Sequence, residues 1–172
     1  KVLSLLINSG AVVDAMDTTG QTPLIFAVKN DRNVEVITLL INAGANVNAR
    51  DVNGRTPLMF AAQNNKYAEV ISVLIKAGAN VDAKDGDGLT PLMYSAGSNK
   101  NVDVLSVLIN SGANVNARDD NEWTPLMYAA GNKANSEVLS VLIDSGANVN
   151  ARDADGKTPL IIAAKNNTNV EV

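Results

Sequence analysis

Clustered carboxylates are the side chains of this sequence with the clearest capacity for chemistry. They stand in "DGDG" (85–88), in "DADG" (153–156) and at Asp119, Asp120 and Glu122. The first two clusters look like the start of a calcium loop, but such a loop also needs an oxygen ligand at its fifth position, where this chain has Leu89 or Lys157. We expect the third cluster on an exposed turn, without the desolvation that sets two pKa values apart for acid–base catalysis. The carboxylates therefore predict neither a metal site nor a catalytic pair.

Other catalytic chemistry lacks its usual residues. The chain has no Cys and no His, so it has no thiolate nucleophile and lacks the commonest general base and metal ligand. Neither of the common glycine-rich phosphate loops is present. We therefore expect no catalytic residues, no cofactor and no enzymatic activity.

Charge and hydropathy limit the classes of partner that the sequence favours. The net charge of −4 gives no positive field to attract nucleic acid. No apolar run approaches the roughly 20 residues that cross a bilayer, and "KVLSLLINSG" is too short for a signal peptide and lacks its cleavage site. We expect no nucleic-acid or membrane partner and a cytoplasmic location, with which the absence of Cys is compatible.

Two short motifs recur every 34 residues and indicate a repeating structural unit, which positions the carboxylates described above. The first motif is Thr-Pro-Leu, which begins at Thr22, Thr56, Thr90, Thr124 and Thr158. The second is Gly-Ala, which begins at Gly10, Gly44, Gly78, Gly112 and Gly146. The register never slips, so the chain is one structural unit written five times.

Each unit predicts two helices and a projecting finger. Thr22 is a good N-cap and Pro23 suits the first helical position, so a first helix begins there. A second helix, "VEVITLLINA", ends at Gly44, which favours the left-handed conformation of a helix C-terminus. The stretch from Asp51 to Gly54 is typical of a type I turn between short extended arms.

Asparagines predict the boundary between the two helices. Residues of this type can adopt the left-handed conformation that ends a helix, and four stand at the end of a first helix: Asn30, Asn64, Asn132 and Asn166. Four others stand where they can N-cap the second helix: Asn33, Asn101, Asn135 and Asn169. An acidic residue follows two positions after this cap, where it meets the positive end of the helix dipole.

This pattern resembles the ankyrin repeat over the whole chain. The matching residues are the Asp-x-x-Gly-x-Thr-Pro-Leu segment, the "EVISVLI" type of second helix and the Gly-Ala-Asn-Val-Asn segment. The resemblance implies an all-α repeat solenoid of stacked helix-loop-helix pairs with projecting β-hairpin fingers. The family's usual His after Thr-Pro-Leu is replaced here by Ile25, Met59, Met93, Met127 and Ile161. This replacement substitutes apolar packing for a polar tie to the finger.

We expect residues 1–172 to form a single ankyrin-repeat domain. Its parts are a partial repeat (1–16, second helix), four full repeats (17–50, 51–84, 85–118 and 119–152) and a partial repeat (153–172, first helix). Repeat arrays normally close with polar capping repeats, yet "KVLSLLI" and "TPLIIAA" are as apolar as inner copies. We therefore expect either a window of a longer array or molecules that stack end to end.

Four aromatic residues recur on successive first helices and form what we call the aromatic ladder. Phe26 lies two residues after Leu24, roughly 200° around the helix, so it points away from the second helix if Leu24 packs against that helix. The ladder comprises Phe26, Phe60, Tyr94 and Tyr128, and Ile162 occupies the fifth equivalent position. By resemblance to ankyrin proteins, first helices and fingers line the concave side that binds partners. The ladder is either partner surface or packing between repeats.

Two further positions extend this surface. Trp123, the single Trp, has the unlike equivalents Gln21, Arg55, Leu89 and Lys157, which favours a partner contact over a packing demand. A basic stripe precedes the turn aspartates at Arg50, Lys84, Arg118 and Arg152. The stripe is either a charge-balanced edge of little energetic value or a polar rim that contacts acidic groups of a partner.

Glu122 breaks the pattern, because every other finger has Gly at its position. A non-Gly residue there costs on the order of 1 kcal/mol or forces a different turn. We expect this finger to differ in backbone shape and to reorient Trp123. The partner-binding candidates are Trp123, Tyr128, Tyr94, Phe60, Phe26, Leu89, Arg55, Arg50, Lys84, Arg118 and Glu122.

Two functions of different class remain. The first is a protein–protein interaction module that binds a partner in the concave groove. The alternative is a structural or spacer array, or an engineered ankyrin binder, able to stack end to end. Variation at groove positions favours the first function, because a spacer has no reason to vary Trp123 and its equivalents while it keeps the rest.

Overall fold

Ten α-helices make up the computed structural model, which describes residues 1–30, 33–64, 68–98, 101–132 and 136–166. The second helices are α1 (Val2–Asn8), α3 (Val34–Asn42), α5 (Ala68–Lys76), α7 (Val102–Asn110) and α9 (Ser136–Asp144). The first helices are α2 (Pro23–Lys29), α4 (Pro57–Asn64), α6 (Pro91–Ser98), α8 (Pro125–Gly131) and α10 (Pro159–Asn166). The predicted all-α repeat solenoid is confirmed.

Helix starts follow the predicted capping chemistry. Thr22 Oγ1 accepts from the backbone N–H of Ile25 at 3.4 Å, and Pro23 occupies the first turn. Asn33 Oδ1 accepts from the N–H of Glu35 at 2.9 Å at the start of α3, and Asn101 makes the equivalent bond to Asp103 at the start of α7. The predicted N-caps Asn135 and Asn169 lie outside the described residues. Helix termini are thus fixed locally by side chains that satisfy otherwise unpaired N–H groups.

The predicted left-handed asparagines at the ends of the first helices are wrong. Asn30 has φ −81° and Asn132 has φ −93°. Asn64 and Asn166 are the last residues of their helices, and among the described residues Glu122 is the one non-Gly residue with positive φ. The other described residues with positive φ are glycines such as Gly44 (φ 92°), because glycine lacks the Cβ that makes this conformation unfavourable.

The core lies between the two rows of helices. The first helices α2, α4, α6 and α8 each pack against the second helix of their own repeat and against the first helix of the next repeat. Leucines of the Thr-Pro-Leu motif are fully buried in the first three full repeats, at Leu24, Leu58 and Leu92. Full burial of a side chain of this size contributes about 1.5 to 3 kcal/mol, so the stacked leucines are a main source of cohesion along the array.

Polar ties also join successive repeats. Asn48 Oδ1 accepts from the N–H of Asn80 at 2.9 Å, and its Nδ2 donates to the carbonyl of Gly78 at 3.0 Å. Asn116 makes the same pair of bonds to Asn148 and Gly146. The Gly-Ala-Asn-Val-Asn segment therefore satisfies loop backbone groups of the following repeat, which packing alone cannot do.

The fingers are tight turns rather than β-hairpins. In the second full repeat the N–H of Gly54 donates to the carbonyl of Asp51 at 2.9 Å, which closes the predicted turn. The N–H of Asp51 donates to the carbonyl of Arg55, but this single bond does not make a strand, and the described residues contain no β-strand. The hairpin arms predicted from the resemblance are thus wrong. Instead, adjacent fingers are joined sideways, as by the N–H of Gly86 and the carbonyl of Asn53 (2.9 Å).

The methionines at the position of the family's usual His are buried as predicted, whereas Ile161, which holds that position in the last repeat, is 50% exposed. Met59 and Met93 are each 1% exposed. The sulfur of Met59 accepts from the N–H of Thr56 at 3.3 Å, and that of Met93 accepts from the N–H of Thr90 at 3.4 Å. A soft acceptor thus meets the unpaired N–H at the helix start while its thioether packs in the core.

Candidate partner-binding surface

Burial differs from rung to rung along the aromatic ladder. Phe26 is 43% exposed, whereas Phe60 is 3% exposed and belongs to the hydrophobic core. Tyr94 and Tyr128 are half-buried and pack against the same core. The fifth position, Ile162, is buried. Packing therefore accounts for Phe60, while the two tyrosines and Phe26 also present surface.

Cations of the chain itself cover the first two rungs, Phe26 and Phe60, which we call the covered rungs. The Nζ of Lys29 lies 5.7 Å from the ring centroid of Phe26 and 5.4 Å from that of Phe60. The guanidinium of Arg55 lies 4.5 Å from the Phe60 centroid. Arg55 also forms an ion pair with Asp51 at 2.9 Å. These are cation–π contacts, so at this end the ring faces already have electrostatic partners.

Tyr94 and Tyr128, which we call the open rungs, are held by their hydroxyls. Tyr94 Oη donates to Asp85 Oδ2 at 2.6 Å, and Tyr128 Oη donates to Asp119 Oδ2 at 2.5 Å. Burial, followed by these hydrogen bonds and carboxylate charges, raises the pKa of both phenols. Among the described residues, no Lys or Arg lies over either ring. The hydroxyls supply the polar tie to the finger that is lost with the family's usual His.

Trp123 stands beside the second open rung. Its ring centroid lies 5.2 Å from that of Tyr128, with the planes tilted by 59°. The two rings border a surface cleft of about 330 Å³, which we call the aromatic cleft. The residues that line the cleft are Gly97, Trp123, Tyr128, Gly131 and Asn132. The structure thus brings Trp123 and Tyr128 together, as the sequence predicts.

Sequence reasoning missed the position that opens this cleft. Its residues in successive repeats are Lys29, Gln63, Gly97, Gly131 and Lys165. At this position the first full repeat has a lysine that lies over two rings, whereas the third and fourth full repeats have a glycine. The variation at this position is of the same kind that singled out Trp123, so the signal was present in the sequence.

Leu89 occupies the position equivalent to Trp123 in the third full repeat. It is half-buried, and its N–H donates to Asp85 Oδ1 at 2.9 Å. The N–H of Trp123 makes the same bond to Asp119 at 2.8 Å. Both side chains therefore start from the same backbone position at the base of a finger.

The basic stripe is tied to the backbone of neighbouring fingers. Arg50 Nη1 donates to the carbonyl of Lys84 at 2.7 Å, and Lys84 Nζ donates to the carbonyl of Arg118 at 2.7 Å. Arg118 continues the series to the carbonyl of Arg152 at 2.9 Å. Each of these residues thus links its finger to the finger 34 residues further on, a role beyond the two that the sequence suggested.

The prediction that the finger at Asp119–Glu122 differs in shape is wrong. Glu122 adopts φ 63°, close to the 77° of Gly54, and the N–H of Glu122 donates to the carbonyl of Asp119 at 3.0 Å. The turn is therefore the same as in the other fingers, and Trp123 is not redirected by the backbone. Glu122 takes the left-handed conformation at the cost of strain, on the order of 1 kcal/mol. Its carboxylate pairs with Arg118 at 2.7 Å on the exposed surface.

Comparison with protein families agrees with this geometry. A family model described as ankyrin repeats (3 copies) matches residues 1–85, 33–119, 58–153 and 92–172. The chain belongs to the ankyrin repeat family. Ankyrin repeats are in general non-enzymatic modules of protein–protein interaction. A search of curated proteins gave no match.

Two further properties of this ankyrin repeat chain concern the described residues alone. They contain no group of three or more acidic side chains placed to hold a metal ion. No helix among them is long and apolar enough to cross a membrane.

Proposed function

We propose that this chain binds a protein partner through the groove formed by its first helices and fingers, with the open rungs and Trp123 as the main contact. The observation that carries the proposal is the aromatic cleft, in which Trp123 and the ring of Tyr128 border unfilled space. Aromatic side chains next to such a recess are the residues that dominate the energy of protein interfaces.

The remaining candidates take their place around this contact. Phe26 offers exposed ring surface, while Phe60 is buried and contributes by holding Arg55, whose guanidinium lies over its ring. Leu89, at the position equivalent to Trp123, adds apolar surface in the third full repeat. The other candidates form the polar rim, in which Arg118 is half-buried and the rest are exposed, namely Arg50, Lys84 and Glu122. In this proposal the chain is not an enzyme, uses no cofactor and acts in the cytoplasm.

Capture from the lysate of the source cells tests the proposal. The groove variant combines Trp123→Gln, Tyr94→Ile and Tyr128→Ile, in which each new residue occupies the same position in another repeat, at Gln21 or Ile162. The control variant changes three exposed residues at the ends of second helices: Lys76→Ala, Asn110→Ala and Asp144→Ala. We expect the groove variant to lose the partners of the wild type and the control to keep them. Equal recovery by both variants would exclude the groove.

End-to-end association is a second candidate function, favoured by apolar surface at both ends of the described array. Leu160 is 76% exposed, although its equivalents in the first three full repeats are fully buried. It borders an apolar groove of about 350 Å³ between α8, α9 and α10. At the other end Leu5 and Leu6 of α1 are 67% and 54% exposed. We propose that α1 of one molecule covers the groove of the next, in the place of a second helix.

Sedimentation velocity over a range of concentrations tests this association. We expect the 172-residue chain to form larger species as its concentration rises, and Leu160→Glu to remove them. Val52→Glu is the matched control, because Val52 is also an exposed apolar residue (70%) but lies on a finger. A wild-type chain that stays monomeric at high concentration contradicts the candidate.

A further inference from the structure

The aromatic cleft has a counterpart at the other end of the ladder that is filled by the chain itself. Lys29 is the last residue of α2, and its ammonium lies within 6 Å of the ring centroids of Phe26 and Phe60. At the same position the third and fourth full repeats have Gly97 and Gly131, which line the cleft. The cleft is therefore the space that a lysine of this chain fills at the covered rungs.

The shape of the cleft depends on the absence of side chains at these glycines. A Cβ at position 97 would lie 3.3 Å from Cδ1 of Tyr128, so the tyrosine ring packs directly against the glycine. Asn132 Nδ2 donates to the carbonyl of Gly97 at 2.7 Å and forms a polar wall beside the rings. A long, thin side chain from outside thus meets a ring face, an adjacent indole and an amide.

The charges near the cleft suit a cation. Asp85 and Asp119 each hold a tyrosine hydroxyl, and both carboxylates raise the pKa of Tyr128, so their field reaches this ring. Among the described residues neither aspartate forms an ion pair, whereas Asp51 at the covered rungs is paired with Arg55. Each of the two carboxylates accepts hydrogen bonds from two backbone N–H groups and a phenol, all of them neutral donors. The open rungs thus combine aromatic surface with carboxylates that have no ion-pair partner among the described residues, and both features attract Lys and Arg.

We propose that the aromatic cleft binds a cationic side chain, lysine or arginine, of the protein partner, in the position that Lys29 takes at the covered rungs. The inference rests on the proposed function and names the chemistry that the groove recognises. A lysine-bearing segment would place its ammonium between the rings of Tyr94 and Tyr128, as Lys29 lies between those of Phe26 and Phe60.

Short peptides test the inference directly, with the fluorescence of Trp123 and amide shifts in ¹⁵N NMR spectra as readouts. The probes are N-acetylated trilysine amide, its triarginine analogue, and the trilysine peptide acetylated on every Nε, which keeps length and removes charge. We expect saturable binding of the first two and at least tenfold weaker binding of the third. The shifts should centre on Gly97, Trp123, Tyr128 and Asn132.

Two variants separate cleft binding from general attraction to an acidic protein. Gly97→Lys supplies the cation within the chain and should weaken trilysine binding at least tenfold. Asn110→Lys adds the same charge at the end of α7, where the preceding repeat has Lys76, and should change binding less than threefold.

Several results would overturn the inference. They are the absence of saturable trilysine binding, equal binding of the acetylated peptide, equal weakening by Gly97→Lys and Asn110→Lys, or shifts confined to the exposed carboxylates Asp120 and Asp155. The two proposals fail in different ways. If partner capture depends on Trp123 and Tyr128 while trilysine does not bind, the inference fails and the proposed function stands. If capture does not depend on them, the proposed function fails.

Discussion

The two halves of the aromatic ladder use the same helix position for different purposes. At the covered rungs the rings of Phe26 and Phe60 carry Lys29 and Arg55, and Arg55 neutralises the turn carboxylate Asp51. At the open rungs a phenol hydroxyl binds the turn carboxylate, and glycines leave the ring faces free. The same scaffold thus covers its rings with its own cations at one end and leaves a cleft beside Tyr128 and Trp123 at the other.

Within the covered rungs, Phe60 should contribute much more to the free energy of unfolding than Phe26. Phe60→Ala should lower it by about 3 kcal/mol, because the ring is buried in the core and its loss leaves a cavity. Phe26→Ala should lower it by about 1 kcal/mol, since nearly half of that ring is already in water. Urea unfolding followed by circular dichroism measures both. Equal losses would show that burial does not separate these two rungs.

The hydroxyl ties of the open rungs should have a smaller effect. Tyr128→Phe removes the hydrogen bond to the buried carboxylate of Asp119 and should lower the free energy of unfolding by about 1 kcal/mol. Tyr94→Phe should have a similar effect through Asp85. Urea unfolding measures both variants. If the two phenols merely fill space, both variants will be as stable as the wild type.

Glu122 provides a stabilising change near the open rungs. Glu122→Gly relieves the left-handed strain and should raise the free energy of unfolding by about 0.5 to 1 kcal/mol, partly offset by the greater freedom of glycine in the unfolded chain. Arg118→Ala, which breaks only the exposed ion pair, should change stability much less. Destabilisation by Glu122→Gly would mean that the ion pair outweighs the strain.

High pH should weaken the open rungs selectively. Because folding raises the pKa of Tyr94 and Tyr128, the unfolded chain releases these protons first, near pH 10. Their contribution to stability is complete below that pH and falls as the pH rises above it. We expect the wild type to lose stability between pH 9 and pH 11 more steeply than the Tyr94→Phe, Tyr128→Phe double variant. Parallel curves would contradict the coupling of the phenols to the carboxylates.

Local signals in the sequence predict most of the scaffold. Thr22 and Pro23 begin a helix, Gly44 ends one and Asp51 with Gly54 closes a turn, because each acts on backbone groups a few residues away. The sequence also identifies the ladder and places Trp123 beside it. These predictions rest on short-range chemistry and on a spacing that never changes.

Contacts across repeats could not be predicted in the same way. Whether Phe60 is covered depends on Lys29, which reaches it from the preceding repeat, and on Arg55 from its own finger. The aromatic cleft likewise depends on Gly97, which stands one repeat before Tyr128. Glu122 shows a further limit, because its neighbours hold the turn strongly enough to impose a strained conformation.

Filling the aromatic cleft with a side chain of the protein itself tests whether the partner binds at the open rungs. The measurement is the amount of partner that Gly97→Lys recovers from lysate, compared with Lys29→Gln, which removes the cation of the covered rungs and adopts the residue of the next repeat, Gln63. We expect Gly97→Lys to lose the partner and Lys29→Gln to retain it. Retention by Gly97→Lys, or loss by Lys29→Gln alone, would contradict a partner site at the open rungs.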